Sequence, residues 1–432
     1  MQNHTDEGLV RGIRRWDLVA ITINGIIGAG IFGLPAKVFS LIGTYSVIAF
    51  VACALVVALI ILCFAEVGSR FDDTGGPYLY AREAFNPGVA FEIGWLIWLV
   101  RITAFAANCN LLINYLSFFW GSATNSFARP AIIVFVVVVL ALINFLGIRQ
   151  TTIISNVFTV GKLVPIVIFC AVGLFFLNPH AFALGARPAT GAFSQSVLLL
   201  VYAFTGFEMA TIPAGEVREP QRNMPRALII ALFVVAVLYI LIQIVCVGTL
   251  PGLAGSQKPL ADAGSQFLGT AGGAIISAGA IISITGNLNI LLLTGSRLPF
   301  AMAEQKQLPA FLSKTHRSFF TPYISIALTA ALMLLLTLKS SFVTALTISA
   351  IARLVTYAAT CLALPVFRRR RDAPAELFRL PGGTIVAVLA LVLIVWLLLN
   401  SSLHEARDAA LAAGAGLVIY FAYWIYSRSR AS

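Results

Sequence analysis

The sequence predicts an all-α integral membrane protein with twelve transmembrane helices. Helices 1 and 6 are discontinuous, and helices 1–5 and 6–10 form a 5+5 inverted repeat. Three observations predict this. The 432 residues are 59% hydrophobic and 11% charged, with a mean hydropathy of +0.94. Apolar stretches of about 20 residues, the length a helix needs to cross a bilayer, recur along the chain. Two of these stretches carry glycines at mid-span, at Gly30 and Gly206.

The spans run over 18–39, 44–66, 88–120, 131–148, 152–177, 194–214, 226–250, 268–297, 321–338, 341–366, 383–402 and 408–427. The first is interrupted by Ile26-Ile27-Gly28-Ala29-Gly30-Ile31-Phe32-Gly33-Leu34-Pro35. Interior Gly costs a helix about 1 kcal/mol relative to Ala, and interior Pro about 3. Unwound backbone is tolerated at membrane depth only where it lines a cavity or is buried in protein. The break is therefore a candidate binding site, with free N–H and C=O groups aimed at a ligand. The third and eighth spans exceed what a bilayer requires, which implies tilt or an extension beyond it. The sixth is broken in the same way at Tyr202-Ala203-Phe204-Thr205-Gly206-Phe207-Glu208, followed by Pro213. Five spans separate the two breaks, an odd number, so the second half enters the membrane from the opposite face. That gives residues 18–177 and 194–366 as the two repeats and 383–427 as helices 11 and 12 outside them. Segments 1–17 and 428–432 are the terminal tails.

Charge orients the chain. Of the 29 Lys and Arg, twenty fall on one side if the N-terminus is cytoplasmic, while Lys37, Arg129, Arg187, Lys258, Lys339 and Arg407 fall on the other. The positive-inside bias places both termini in the cytoplasm and the protein in the cell (inner) membrane. The net charge of +12 does not mark a nucleic-acid binder, because the charges sort by membrane side and form no groove. The N-terminus is short and polar, so no cleavable signal peptide is expected. The six cysteines lie inside apolar segments without CxxC pairs and read as packing residues. No nucleophile–base arrangement, metal cluster or phosphate loop appears, so neither an enzyme nor an ATP-driven machine is expected.

These features resemble the amino acid–polyamine–organocation (APC) superfamily of transporters over nearly the whole length. The resemblance rests on Gly28-Ala29-Gly30-Ile31-Phe32, Phe204-Thr205-Gly206-Phe207-Glu208, Gly75-Gly76-Pro77-Tyr78 and Glu216-Val217-Arg218-Glu219-Pro220-Gln221-Arg222-Asn223-Met224-Pro225. It implies the leucine-transporter-like fold, secondary active transport by alternating access, and a free amino acid as substrate. The bilayer is the other partner, and no obligate protein partner is evident. The expected substrate site comprises Ile26, Ile27, Gly28, Ala29, Gly30 and Ile31 from span 1 and Tyr202, Ala203, Phe204, Thr205 and Gly206 from span 6. The amides around Ala29–Ile31 suit a carboxylate at a helix N-terminus. Carbonyls near Tyr202, Ala203 and Thr205 suit an ammonium. Tyr202 falls at the position of an aromatic lid, or is an ordinary apolar-facing aromatic. Phe105 and Leu291 replace an asparagine and a tryptophan of the arginine/agmatine antiporter, which favours a neutral or apolar amino acid. The alternatives are an exchanger for acidic or cationic amino acids or polyamines, and a non-transporting sensor or channel on the same fold.

Five ionisable residues remain within spans, and such residues are functional candidates by default. Lys162 resembles the lysine that takes the place of sodium in proton-coupled members, which implies no sodium site, no cofactor and a proton as coupling ion. It either handles that proton or acts as a fixed tie to span 1. Glu208 either couples protonation to gating or caps the broken helix. Glu66 reads as a structural acceptor. Arg101 and Arg353 lie near the midplane and either bind an anionic side chain or pair with Glu208 or backbone carbonyls.

Overall fold

The computed structural model describes residues 13–72, 75–146, 152–212, 214, 217–319, 321–401 and 403–429. Arg11, Arg149, Pro213, Glu216 and the end of the C-terminal tail lie outside the described residues. Apart from a single bridge between Ile13 and Val217, all regular structure among the described residues is helical.

The elements in order are α1 (Arg15–Ile26), α2 (Gly30–Ile42), α3 (Ser46–Gly68), α4 (Pro77–Ala84), α5 (Pro87–Leu116), α6 (Ala128–Leu146), α7 (Thr152–Gly173) and α8 (Thr190–Phe204). A 3₁₀ turn over Phe207–Thr211 follows. Then come α9 (Pro220–Thr249), α10 (Pro259–Glu304), α11 (Tyr323–Lys339), α12 (Phe342–Arg369), α13 (Gly383–Leu399) and α14 (Leu403–Ser429). Several starts are fixed by local chemistry. Asn86 accepts from the Val89 amide ahead of Pro87, and Ser341 accepts from the Thr344 amide; both are N-caps that satisfy an orphan donor.

Among the described residues, seven helical runs are long and apolar enough to cross a membrane: Gly30–Gly68, Pro87–Leu116, Ala128–Leu146, Thr190–Thr211, Pro220–Thr249, Pro259–Glu304 and Phe342–Arg369. Three further apolar helices are shorter: Lys162–Phe176, Tyr323–Lys339 and Gly383–Leu399. The eighth predicted span, 268–297, is only the middle of α10, which extends at both ends. Its first turns bend away at Gly269 (φ 64°), so one continuous run holds a short polar helix with Asp262 and a membrane-length one. The third span ends at Leu116 rather than 120.

α5 forms the spine of the core, packed against α10, α11 and α12, while α3 packs against α8 and α9. The outward faces of α6 and α13 expose rows of apolar side chains, including Val134, Phe135, Val138 and Leu142 and Ile385, Val388, Val392 and Val395. Such apolar belts are what a bilayer solvates. All six cysteines are buried and free.

At one end of the bundle the buried Glu66 of α3 accepts two hydrogen bonds from Arg368 of α12 (2.6 and 2.7 Å) and one from the Leu380 amide (2.9 Å). Arg70, one turn on, reaches the Pro374 carbonyl (2.7 Å) and Glu376 (2.8 Å). The Gly75-Gly76-Pro77-Tyr78 motif turns the chain into α4 and joins the second break through the Gly75 amide and Ile212 carbonyl (3.2 Å).

Removing one partner of a buried ion pair leaves the other uncompensated. Glu66→Ala is therefore expected to destabilise the protein by about 3 kcal/mol, read as a lowered thermal midpoint in detergent, with Glu83→Ala at an exposed pair as the neutral control.

Candidate functional site

The two helix breaks meet through bare backbone. α1 ends where the Ile26 carbonyl accepts from the Gly28 amide (2.8 Å), and α2 begins at Gly30. The amides of Ala29, Gly30 and Ile31 have no acceptor among the described residues. They are the first-turn donors at the positive end of α2. Opposite, α8 ends at Phe204, and Gly206 takes a φ of 110°, where only glycine is at ease. A Cβ on Gly206 would stand 2.2 Å from the Gly25 carbonyl oxygen, and one on Gly30 would stand 2.7 Å from Ala203 Cα. Contact thus requires both glycines, and at Gly206 the backbone conformation requires it as well.

Between the breaks lies a small cavity of about 20 Å³, the size of a water molecule. Ile26, Gly28, Ala29, Gly30, Tyr202, Thr205, Gly206 and Leu291 line it, as the sequence anticipates. Ile27, Ile31, Ala203, Phe204 and Phe105 do not. Phe105 is fully buried but points elsewhere: cavity-facing Ala104 and Asn108 are four apart on α5, and the next residue round is turned by about 100°. Phe204 instead packs edge-on against Tyr239, ring centroids 5.0 Å apart.

The sequence reading missed Gly25, Ala104, Asn108, Met209 and Asn287. Asn108 and Asn287 carried a signal, since a polar amide within an apolar span faces the interior. Tyr202 donates its hydroxyl to Asn108 Oδ1 (2.6 Å), and the Asn108 Nδ2 is buried with no partner among the described residues.

The expectation of three unpaired carbonyls on the second break is corrected. The Tyr202 carbonyl accepts from the Thr205 hydroxyl (2.7 Å), and the Ala203 carbonyl lies 3.2 Å from the Tyr239 hydroxyl. Only the Thr205 carbonyl has no donor among the described residues. The reason is that buried carbonyls find hydrogen-bond partners, here nearby hydroxyls; each keeps its second lone pair. The Tyr239 hydroxyl also reaches the Ile26 carbonyl (3.1 Å), so one side chain spans both breaks.

Lys162 of α7 donates to the carbonyls of Asn24 (2.7 Å) and Ile27 (2.8 Å) at the negative end of α1. Glu208 is more heavily engaged. Its Oε1 accepts from Arg353 (2.5 Å), and its Oε2 accepts from Tyr357 (2.8 Å) and the Gly206 amide (2.9 Å). It therefore caps the break and pins it to α12. Arg101 Nη1 stands 3.9 Å from the same carboxylate, beyond hydrogen-bond reach. The two midplane arginines, alike in sequence, are unlike in structure: Arg353 lines the small cavity, and Arg101 faces a second one.

That second cavity is a vestibule of about 620 Å³ between α4, α5, α10 and the 3₁₀ turn. Arg82, Arg101, Glu208 and Arg297 stand in its wall among Ile97, Ile212, Leu298 and Met302. At its mouth Tyr78 bonds Gln305, and burial raises that phenol above its ordinary range. Glu208 lines the vestibule, and two of its partners, Arg353 and Gly206, line the small cavity. On the other side the path is shut. The Tyr115 hydroxyl donates to the Phe32 carbonyl (2.7 Å), the two rings meet edge-on, and Phe342 and Leu111 crowd Gly33.

Bare donors on one break and the bare Thr205 carbonyl on the other suit a small zwitterion. Comparison with known proteins agrees with that chemistry. Residues 13–422 match the family described as amino acid permease. The chain is 29% identical over 442 residues to the serine/threonine exchanger SteT of Bacillus subtilis (strain 168), covering 99% of this chain and all of the relative. It is 26% identical to the branched-chain amino acid permease BcaP (97% and 94% covered) and 27% identical to the methylthioribose transporter (96% and 94% covered), both of the same organism.

Gly206→Ala combines a forbidden φ with a backbone clash and is expected to cost about 2–5 kcal/mol. Gly382→Ala, which shares a positive φ but has open space around it, should cost about 1 kcal/mol. Thermal unfolding of the two variants in detergent checks the difference.

Proposed function

The chain belongs to the amino acid permease family of the APC superfamily and is a membrane transporter, not an enzyme; from that premise we propose that it moves a neutral α-amino acid by alternating access, driven by protons. The observation that carries this reading is the pair of adjacent breaks: Ala29 and Gly30, with free amides, and Thr205, with a free carbonyl, line one cavity. In this reading the amides take the α-carboxylate, and the second break takes the ammonium.

The chain crosses the inner (plasma) membrane twelve times. α1 with α2 and α8 with its 3₁₀ turn form the discontinuous helices 1 and 6. The first five crossings and the next five are inverted repeats, with α13 and α14 outside them. Both termini face the cytoplasm, as the Lys and Arg bias requires. The vestibule then opens to the cytoplasm, and the Tyr115–Phe32 contact closes the outer path.

The wall chemistry favours a neutral side chain. Tyr202, Leu291, Met209 and Ala104 are mostly apolar, and Asn108 and Asn287 supply amides. A cationic side chain would meet Arg353. An acidic one would have to displace Glu208 from three donors.

Lys162 is the coupling residue in this proposal. Its ammonium fills a cage of α1 carbonyls that would otherwise suit a sodium ion, so no sodium is needed. Loss of its proton removes the charge that holds α1 at Asn24 and Ile27. Glu208 acts as the inner latch. Exchange is the second reading, favoured by the name of the SteT relative.

Proteoliposomes loaded with buffer should accumulate labelled neutral amino acids when the outside is acidic, and an uncoupler should abolish this. Uptake that requires internal amino acid replaces symport with exchange. Lys162→Ala should cut gradient-driven uptake at least tenfold, while counterflow of the same amino acid persists. Gradient-driven uptake unchanged in Lys162→Ala would remove the lysine from the coupling step.

A further inference from the structure

Two buried guanidinium groups share one buried carboxylate. Arg353 is satisfied by Glu208 at 2.5 Å. Arg101 is 1% exposed, and its Nε and Nη1 are buried with no hydrogen-bond partner. Glu208 is committed to Arg353, Tyr357 and the Gly206 amide, and Arg101 Nη1 stands 3.9 Å from its Oε1, close enough to pair charge but too far to hydrogen-bond. A cation held this deep without hydrogen bonds costs several kcal/mol unless a counter-charge reaches it. Guanidinium cannot discharge by losing its proton. Among the described residues of the vestibule wall, Arg82 and Arg297 add positive charge, and Glu208 is the only carboxylate. Arg82 already faces Glu83 at the rim (3.3 Å). Arg297 bonds only its own helix, at Leu293 and Ser296.

We propose that the vestibule is a second substrate subsite, in which Arg101 takes the α-carboxylate of the amino acid and Arg297 assists. The planar fork of arginine matches a carboxylate with two parallel hydrogen bonds. The cavity of about 620 Å³ accommodates a whole amino acid, where a bare inorganic ion would need a small fraction of it. Ile97, Leu298 and Met302 supply an apolar wall for the side chain. The subsite adjoins Glu208, so a carboxylate seated on Arg101 sits next to the latch that closes the central cavity. A substrate entering or leaving therefore pauses on Arg101. This assignment of the ligand rests on the amino acid transport reading; the anion site itself rests on Arg101 alone.

The test uses the full chain in lipid nanodiscs with sodium [¹³C]acetate as probe, read by line broadening. Wild type should broaden the signal saturably. Arg101→Gln should weaken binding at least tenfold, Arg101→Lys should retain part of it, and Arg297→Gln should weaken it a fewfold. Chloride should compete only at tenfold or higher concentration, and an amino acid found in the uptake screen should compete well. Saturable binding unchanged in Arg101→Gln, no saturable binding at all, or chloride competing as well as acetate each overturns the proposal. Should Arg101→Gln fail to fold, the Arg101→Lys and Arg297→Gln arms decide alone. Arg101-dependent acetate binding without any amino acid uptake would count against the transport reading only. Normal uptake without such binding would count against the subsite only.

Discussion

The rest of the structure depends on one close approach, in which the Gly25 and Gly206 backbones touch with no room for a side chain between them. It forces both helices to break at the same depth. A broken helix exposes amides at the start of one half and carbonyls at the end of the other. Placing two such breaks side by side gives opposite partial charges a few ångströms apart, in a region from which water is largely excluded. The cavity they enclose is only water-sized.

The supporting side chains follow from that arrangement. Each engages a backbone group that the break leaves unpaired. Lys162 takes the last carbonyls of α1, Tyr239 bridges Ile26 and Ala203, and Glu208 takes the Gly206 amide. Lys162 and Tyr239 come from outside the broken segments, and Glu208 lies within the second one. They arrive from α7, α9 and the 3₁₀ turn, so movement of any of those elements changes the electrostatics of the breaks directly. That coupling between distant helices and one small cavity is what an alternating mechanism needs.

Much of this was legible in the sequence, for identifiable reasons. Glycine is common in membrane helices, where it lets backbones pack closely, but mid-span glycines followed by proline at two corresponding positions point to a pair of breaks. The burial of Glu66 and the pairing of Glu208 with an arginine were also readable, since lone charges inside a membrane must find partners. Other features were not. Sequence spacing put Arg101 and Arg353 at equal depth and so treated them alike. Only the three-dimensional path of α5 and α12 shows that one reaches Glu208 and the other falls short by about an ångström. Phe105 was placed at the site by analogy of position, whereas the helical turn carries Ala104 and Asn108 there instead. The occupied carbonyls of Tyr202 and Ala203 depended on hydroxyls 3 and 36 residues away, contacts that no local pattern encodes.

The central claim is that the facing breaks read both ends of a zwitterion through the backbone. Equilibrium binding to the reconstituted protein, compared across leucine, leucinamide and 4-methylpentanoate, tests it most directly. The account predicts that loss of either the carboxylate or the ammonium weakens binding by about a hundredfold, or roughly 2.7 kcal/mol, while exchanging leucine for valine changes it far less. Leucinamide or 4-methylpentanoate binding as tightly as leucine would contradict it.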